Sequence, residues 1–283
     1  MPLVRCGAAL PTPATPGGGV DWGRFIAHAT AMLAAGCDTL VPFGTTGEGA
    51  SIPAAVRSEV YARFANAGIP AEALVPCLYG AAAEAGAAMA EASKAGAKGV
   101  LLVPPYYFND ASEDGLFAWV SEVFETAGAR TLPTLLYHIP GVTGTPIPVP
   151  LVARLRLAFP DLVAGVKDSS GDQSYCAALL AEHRDLTILV GAEPLLAGAV
   201  RQGASGAISG CMNVAPALVS RLARGEDDAR IVPLVDWVLS GPVVPNIKAL
   251  MAVRTGDPAW AQPFAPLTRS AADVPAAIAD LLG

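Results

Sequence analysis

The chain has 283 residues, 53% of them apolar and only 15% charged, with 18 Lys and Arg against 25 Asp and Glu for a net charge of −7. That composition suits one large α/β unit with a sizeable core and excludes a mainly disordered polypeptide. With no basic cluster, it also excludes nucleic acid and anionic membrane as expected partners.

The first stretch, MPLVRCGAALPTPATP, lacks the charged-then-apolar layout of a secretory signal. No apolar run reaches the length of a membrane span, so a cytoplasmic location is expected. Cys6, Cys37, Cys77, Cys176 and Cys211 form no C-x-x-C pair and read as reduced core residues, not as a disulfide or zinc framework. His28, His138 and His183 are scattered without metal-ligand spacing, and no metal is expected.

Short apolar runs closed by Gly, Pro or polar turns then recur along the chain. They are CGAAL (6–10), DTLVPF (38–43), ALVPCL (73–78), GVLLVP (99–104), PTLLYHI (133–139), LVAGVK (162–167), LTILVG (186–191) and GAISG (206–210). Between them lie stretches with helical apolar spacing, such as Phe25, Ala29, Met32 and Leu33, or Leu116, Trp119, Val120 and Val123. Near-continuous apolar strands are buried on both faces, the mark of a parallel sheet covered by helices.

Eight alternations predict an α/β fold, a (β/α)8 TIM barrel over 1–225, with a C-terminal helical subdomain over 226–283. The competing open doubly wound sheet lacks a G-x-G-x-x-G after its first strand. Helices are expected near 216–223 and 229–239, then a Pro/Gly break at SGPVVPN and further helical pieces to Leu282.

In such a barrel the chemistry gathers at the C-terminal ends of the strands. Strand two delivers GTTGE (44–48), strand four PPYYF (104–108), strand five Tyr137 and His138, and strand six Lys167. The apolar LVAGV before Lys167 supplies walls that disfavour an ammonium, so the amine can attack a ketone and form a Schiff base. The competing reading is a rim lysine bridging to a carboxylate. Asp168, next on the strand, points to the opposite side.

The small residues, hydroxyls and free N–H groups of Thr45, Thr46 and Gly47 can cup a carboxylate or phosphate. Glu48 can instead simply cap the next helix. Tyr137 lies one βα unit before Lys167, at the same height on the adjacent strand, where a phenol can shuttle protons. A rim tyrosine bonded to backbone is the alternative. Tyr106 and Tyr107 remain open between packing and catalysis, and Tyr79 between narrowing the pocket and packing its rim.

Together, GTTGE, PPYY, YHIPGVTG and GVKDSSGD, in that order on those strands, resemble the dihydrodipicolinate synthase/N-acetylneuraminate lyase family. The likeness runs from LPTP (10–13) to the C-terminal helices. It implies a class I aldolase or lyase that handles pyruvate and an aldehyde without metal or organic cofactor. Lys167 matches the Schiff-base lysine, and Tyr137 the tyrosine that relays protons.

Thr45 and Thr46 match the pair that holds the pyruvate carboxylate and extends the relay. Tyr107 matches a tyrosine lent in many members to the neighbouring subunit's relay, and Ile208 a residue whose carbonyl lines the pyruvate site. Members are usually homotetramers, dimers of dimers, so a homotetramer is expected.

Two departures narrow the substrate. Val142 stands where dihydrodipicolinate synthases carry an arginine for the carboxylate of aspartate semialdehyde. Glu193 and Pro194 stand where sialic acid lyases carry an acidic pair. The resemblance therefore leans toward 2-keto-3-deoxy sugar acids or related hydroxy-2-oxo acids, with His138, Ser169, Ser170 and Glu193 as hydroxyl-binding candidates. Dihydrodipicolinate synthesis, Schiff-base dehydration or hydration of a 2-oxo acid, and a non-catalytic 2-oxo acid binder are the alternatives.

Overall fold

A computed structural model describes residues 2–282. Its strands are β1 (Cys6–Ala9), β2 (Thr39–Val41), β3 (Cys77–Leu78), β4 (Val100–Leu102), β5 (Thr134–His138), β6 (Val163–Asp168), β7 (Thr187–Val190) and β8 (Ala207–Ser209). Each falls inside one of the eight apolar runs, except that β6 extends one residue past its run to Asp168. All pairings are parallel, in two ladders ordered β2-β1-β8 and β3-β4-β5-β6-β7. Single bridges, Leu40 to Leu74 and Leu189 to Gly206, span the two seams. There the Val75 N–H donates to the Leu40 carbonyl at 3.0 Å and the Val190 N–H to the Gly206 carbonyl at 2.9 Å. The eight strands thus close in chain order into a TIM barrel.

The helices are α1 (Trp22–Ala34), α2 (Ala54–Asn66), α3 (Ala82–Ala95), α4 (Glu113–Ala127), α5 (Pro140–Thr143) and α6 (Val149–Ala158). They continue with α7 (Gln173–Glu182), α8 (Glu193–Arg201), α9 (Pro216–Leu222), α10 (Ile231–Leu239), α11 (Val243–Thr255) and α12 (Ala276–Ala279). Local chemistry sets their starts. The Asp21 carboxylate accepts the Arg24 N–H at 2.9 Å and the Ser112 hydroxyl accepts the Gly115 N–H at 3.1 Å, each satisfying an orphan donor of a first turn. Phe25, Ala29 and Met32 on α1, and Leu116, Val120 and Val123 on α4, form the buried stripes their spacing predicted.

The expected break at SGPVVPN is present but shorter, confined to residues 240–242 between α10 and α11. The α11 helix begins within it, at Val243, behind Pro242 and with Pro245 in its first turn. A proline there forfeits no hydrogen bond, because first-turn N–H groups have no helical acceptor.

Two apolar cores follow from strand alternation. Leu136, Val166 and Ala207 face outward into the layer under the helices, whereas Leu135, Tyr137, Leu189 and Ile208 fill the barrel. Ile231, Leu234, Ile247, Leu250, Met251, Ile278 and Leu282 belong to the same outer core as the barrel helices. Each such aliphatic side chain contributes about 1.5–3 kcal/mol on burial, which fixes the C-terminal helices against the barrel. All five cysteines are free thiols, and no described helix is long and apolar enough to cross a membrane.

Candidate active site

Tyr137 and Lys167 are register partners in the β5–β6 ladder. Alternation turns both into the barrel, where they are 3% and 5% exposed. The Lys167 Nζ donates to the Tyr137 hydroxyl at 3.0 Å and lies 4.2 Å from the ring centroid. Leu135, Leu189 and Ile208 are buried in the same interior and keep it dry. Gly7 makes room for Ile208, since a Cβ at Gly7 would lie 2.8 Å from its Cγ1. Cys77 faces the same space. Burial pushes its thiol up to about 12, against the pull of the Lys167 charge, so it stays protonated at neutral pH and is a poor nucleophile.

The turn after β2 is wound tightly. Phe43 and Glu48, neither a glycine, have φ of 60° and 52° and flank the GTTG segment. Such left-handed conformations cost energy and persist only when their surroundings impose them. Gly47 is required by close approach, because a Cβ there would lie 2.7 Å from the Leu10 carbonyl. The Thr12 hydroxyl donates to the Gly47 carbonyl at 2.7 Å, which ties the turn to the segment after β1.

Glu48 locks the far side. Its carboxylate is ion-paired with Lys248 of α11 and accepts the Phe264 N–H at 2.7 Å. Lys248 also donates to the Gln262 carbonyl at 2.9 Å. The two side chains are 1% and 0% exposed. Burial pushes the Glu48 carboxyl up and the Lys248 ammonium down, and each partner opposes the other's shift. The turn is thus held by a buried ion pair, and Thr45 and Thr46 are left half-buried. Thr46 faces the loop after β8, its hydroxyl 3.3 Å from where a Cβ on Gly210 would sit.

Beside this centre is a cavity of about 470 Å³ lined by Thr45, Val103, Ile139, Val142, Val244 and Leu267, among others. Val103 and Ile139 pack in the same interior cluster as Tyr137. Tyr79 lines the cavity too. Its hydroxyl donates to the Phe43 carbonyl at 3.0 Å and the Arg57 guanidinium covers its ring, so it both narrows the mouth and braces the turn.

The family model described as "Dihydrodipicolinate synthetase family" matches residues 3–280. A 4-hydroxy-tetrahydrodipicolinate synthase of Sorangium cellulosum is 36% identical over 230 residues, covering 79% of this chain and 74% of that one. A solved dihydrodipicolinate synthase from Agrobacterium tumefaciens is 43% identical, with a TM-score of 0.92 over 98% of this chain and 96% of that one. A 2-keto-3-deoxygluconate aldolase from Picrophilus torridus, 19% identical with a TM-score of 0.83 over 95% and 98% of the two chains, shares the fold. The chain belongs to the dihydrodipicolinate synthetase family. It is an aldolase-type lyase.

Within this lyase, two of the candidate substrate contacts, His138 and Glu193, are turned away from the barrel interior. His138 alternates with Tyr137 and Ile139, so its ring leaves the barrel and stacks on Tyr175 of α7 at 3.9 Å. Its Nδ1 accepts the Ile147 N–H at 3.0 Å, and burial holds the imidazole below its ordinary range. Glu193, the first residue of α8, accepts from the Ser209 hydroxyl at 2.6 Å; Ser209 is the outward neighbour of Ile208, so that carboxylate lies behind the barrel wall.

The Ser170 hydroxyl is committed to Asp168, at 2.7 Å. Ser169 is half-buried at the rim, its hydroxyl close against Gly191, where a Cβ would sit 2.2 Å away. Tyr107 is 84% exposed and packs edge-on against Phe108, outside the interior that holds Tyr137 and Lys167.

The Glu48–Lys248 pair was not expected from the sequence, where Glu48 stood between part of the ligand-cupping turn and a cap of the next helix. Its trace was a lysine on the apolar stripe Val244, Ile247, Lys248 and Met251 of VPNIKALMAV, a position that buries a charge and so demands a partner.

Proposed function

We propose that this lyase is a class I aldolase that makes or cleaves a 4-hydroxy-2-oxo acid with pyruvate as one partner. The 3.0 Å contact between the Lys167 amine and the Tyr137 phenol, in a dry barrel interior, carries this reading. The neutral amine attacks the pyruvate ketone, and the ketone oxygen leaves as water once Tyr137 has delivered protons to the carbinolamine.

The resulting iminium acidifies the methyl carbon, whose proton passes to the Tyr137 phenolate left by the loss of water, giving an enamine. That carbon bonds to the aldehyde carbon, and the aldehyde oxygen takes a proton from Tyr137 to become the 4-hydroxyl. Water then hydrolyses the iminium and frees Lys167. Cleavage runs the same steps backward.

Thr45 and Thr46, with the N–H of Gly47, hold the pyruvate carboxylate, and the Ile208 carbonyl lines the far side of the pyruvate site. The active assembly is a homotetramer in which Tyr107, free of contacts to its own Lys167, completes the relay of a neighbouring subunit. Ser169 is the remaining candidate for a hydroxyl of a sugar acid, since His138 and Glu193 are engaged elsewhere.

Dihydrodipicolinate synthesis is the second reading, favoured by the 43% identity to the Agrobacterium enzyme. Against it stands Val142 on the cavity wall, which cannot pair with the semialdehyde carboxylate. Product analysis separates the chemistries. An aldolase given a 4-hydroxy-2-oxo acid releases equal amounts of pyruvate and aldehyde. Loss of substrate with neither product would point to a dehydratase.

A further inference from the structure

We infer that the second substrate is an aldehyde whose distal part is a hydrocarbon, an aryl or branched alkyl group, seated in the cavity beside Tyr137. This deepens the aldolase reading and rests on it. The cavity, about 470 Å³, falls within the ~300–1,000 Å³ of small-molecule sites, so it accommodates more than the aldehyde carbon. Its walls come from three places: Val103 and Ile139 at the strand ends, Val142 on α5, and Val244, Pro245 and Leu267 from the C-terminal region. None of the described lining residues is Lys or Arg, so a distal carboxylate or phosphate finds no cation there.

Of the six polar side chains on the wall, Glu48, Tyr79 and Thr143 are spent within the protein and Thr45 is assigned to the pyruvate carboxylate, which leaves the hydroxyls of Ser51 and Tyr106. Glu48 is paired with Lys248. The Tyr79 hydroxyl donates to the Phe43 carbonyl. The Thr143 hydroxyl donates to the Ile139 and Thr145 carbonyls, at 3.1 and 3.0 Å, and accepts the Thr145 N–H at 3.2 Å. A polyhydroxylated chain would thus bury hydroxyls against valine, proline and leucine, at a cost of about tenfold in affinity for each one left unpaired. A hydrocarbon loses nothing polar there and gains up to about fourfold for each methylene buried.

The test is a set of condensation rates with pyruvate. Propanal, butanal, pentanal, hexanal and benzaldehyde are compared with glyceraldehyde and aspartate semialdehyde by kcat/KM. The expected result is a rise of two- to fourfold per methylene along the alkanals, with benzaldehyde at least about tenfold above both polar aldehydes. Leu267→Asp and Val142→Arg should each lower the benzaldehyde-to-glyceraldehyde ratio at least about fivefold, and Val142→Arg should raise use of the semialdehyde.

A flat alkanal series, or a preference for glyceraldehyde or the semialdehyde, overturns the inference. Borohydride trapping of pyruvate on the same samples tells the two failures apart. An adduct without hydrocarbon preference overturns this inference alone, whereas no adduct overturns the aldolase reading with it.

Discussion

Tyr137 and Lys167, 30 residues apart in the chain, meet at 3.0 Å across one rung of the β5–β6 ladder. A full βα unit separates them in sequence, yet parallel register places them side by side, and alternation turns both inward. Tyr137→Phe keeps the packing and removes only the proton carrier. Turnover should fall about 10²–10⁴-fold, with unfolding free energy lowered by only about 1–3 kcal/mol for the hydrogen bond the buried Lys167 amine loses. Steady-state rates and urea melts of the purified variant check this; an active Phe variant would remove the phenol from the mechanism.

The Glu48–Lys248 pair makes the strained turn depend on α11. Lys248→Met leaves a buried carboxylate without its cation and should cost about 3–5 kcal/mol. Adding Glu48→Gln should return part of that loss. The KM for pyruvate should rise in both variants, because Thr45 and Thr46 precede Glu48 in the same turn. Denaturant midpoints and pyruvate titrations measure the two effects. A double variant no more stable than the single one would contradict the pairing.

The barrel was legible because its strands are unusually plain. GVLLVP and LTILVG are apolar but for Thr187, short, and closed by Gly or Pro, so both faces had to be buried. Lys167 was legible for the converse reason, as a charge at the end of such a run. The substrate contacts were harder to read. His138 has the right chemistry for a sugar, yet it sits one position past the inward Tyr137 on β5 and so faces outward, and Glu193 opens α8, where the sequence does not show that it bonds Ser209 behind the wall. The break at SGPVVPN is shorter than expected because prolines that break a helix interior are harmless in its first turn.

His28 gives the fold a dependence on pH. Burial, aided by the Arg254 charge and opposed by the Asn213 contact at 2.9 Å, lowers its imidazole from 6.5 to about 4, and Trp260 packs edge-on against the ring. Above about pH 6.5 the ring is neutral in folded and unfolded chains alike. As the pH falls from there toward about 4 the unfolded chain takes up the proton first, so stability drops by roughly 3 kcal/mol and the loss then levels off. Between about pH 7 and 4.5, His28→Gln should lose less stability than the wild type by about 2–3 kcal/mol in urea melts. Equal losses would contradict this assignment.

Tyr107 stands clear of its own barrel interior, at 84% exposure. If it serves a neighbouring subunit, two defective chains should repair each other. Tyr107→Phe chains carry Lys167, and Lys167→Ala chains carry Tyr107. Refolded together, they should recover activity well above either alone, up to about one complete site in each mixed pair. Absence of complementation in mixed assemblies, verified by mass, would place Tyr107 outside the relay.

The most direct measurement is reduction with borohydride in the presence of pyruvate, followed by intact mass and peptide mapping. One reduced pyruvyl group per chain, located on Lys167 and absent from Lys167→Ala, is the predicted result. An unmodified chain, or a label that persists when Lys167 is replaced, would contradict the account.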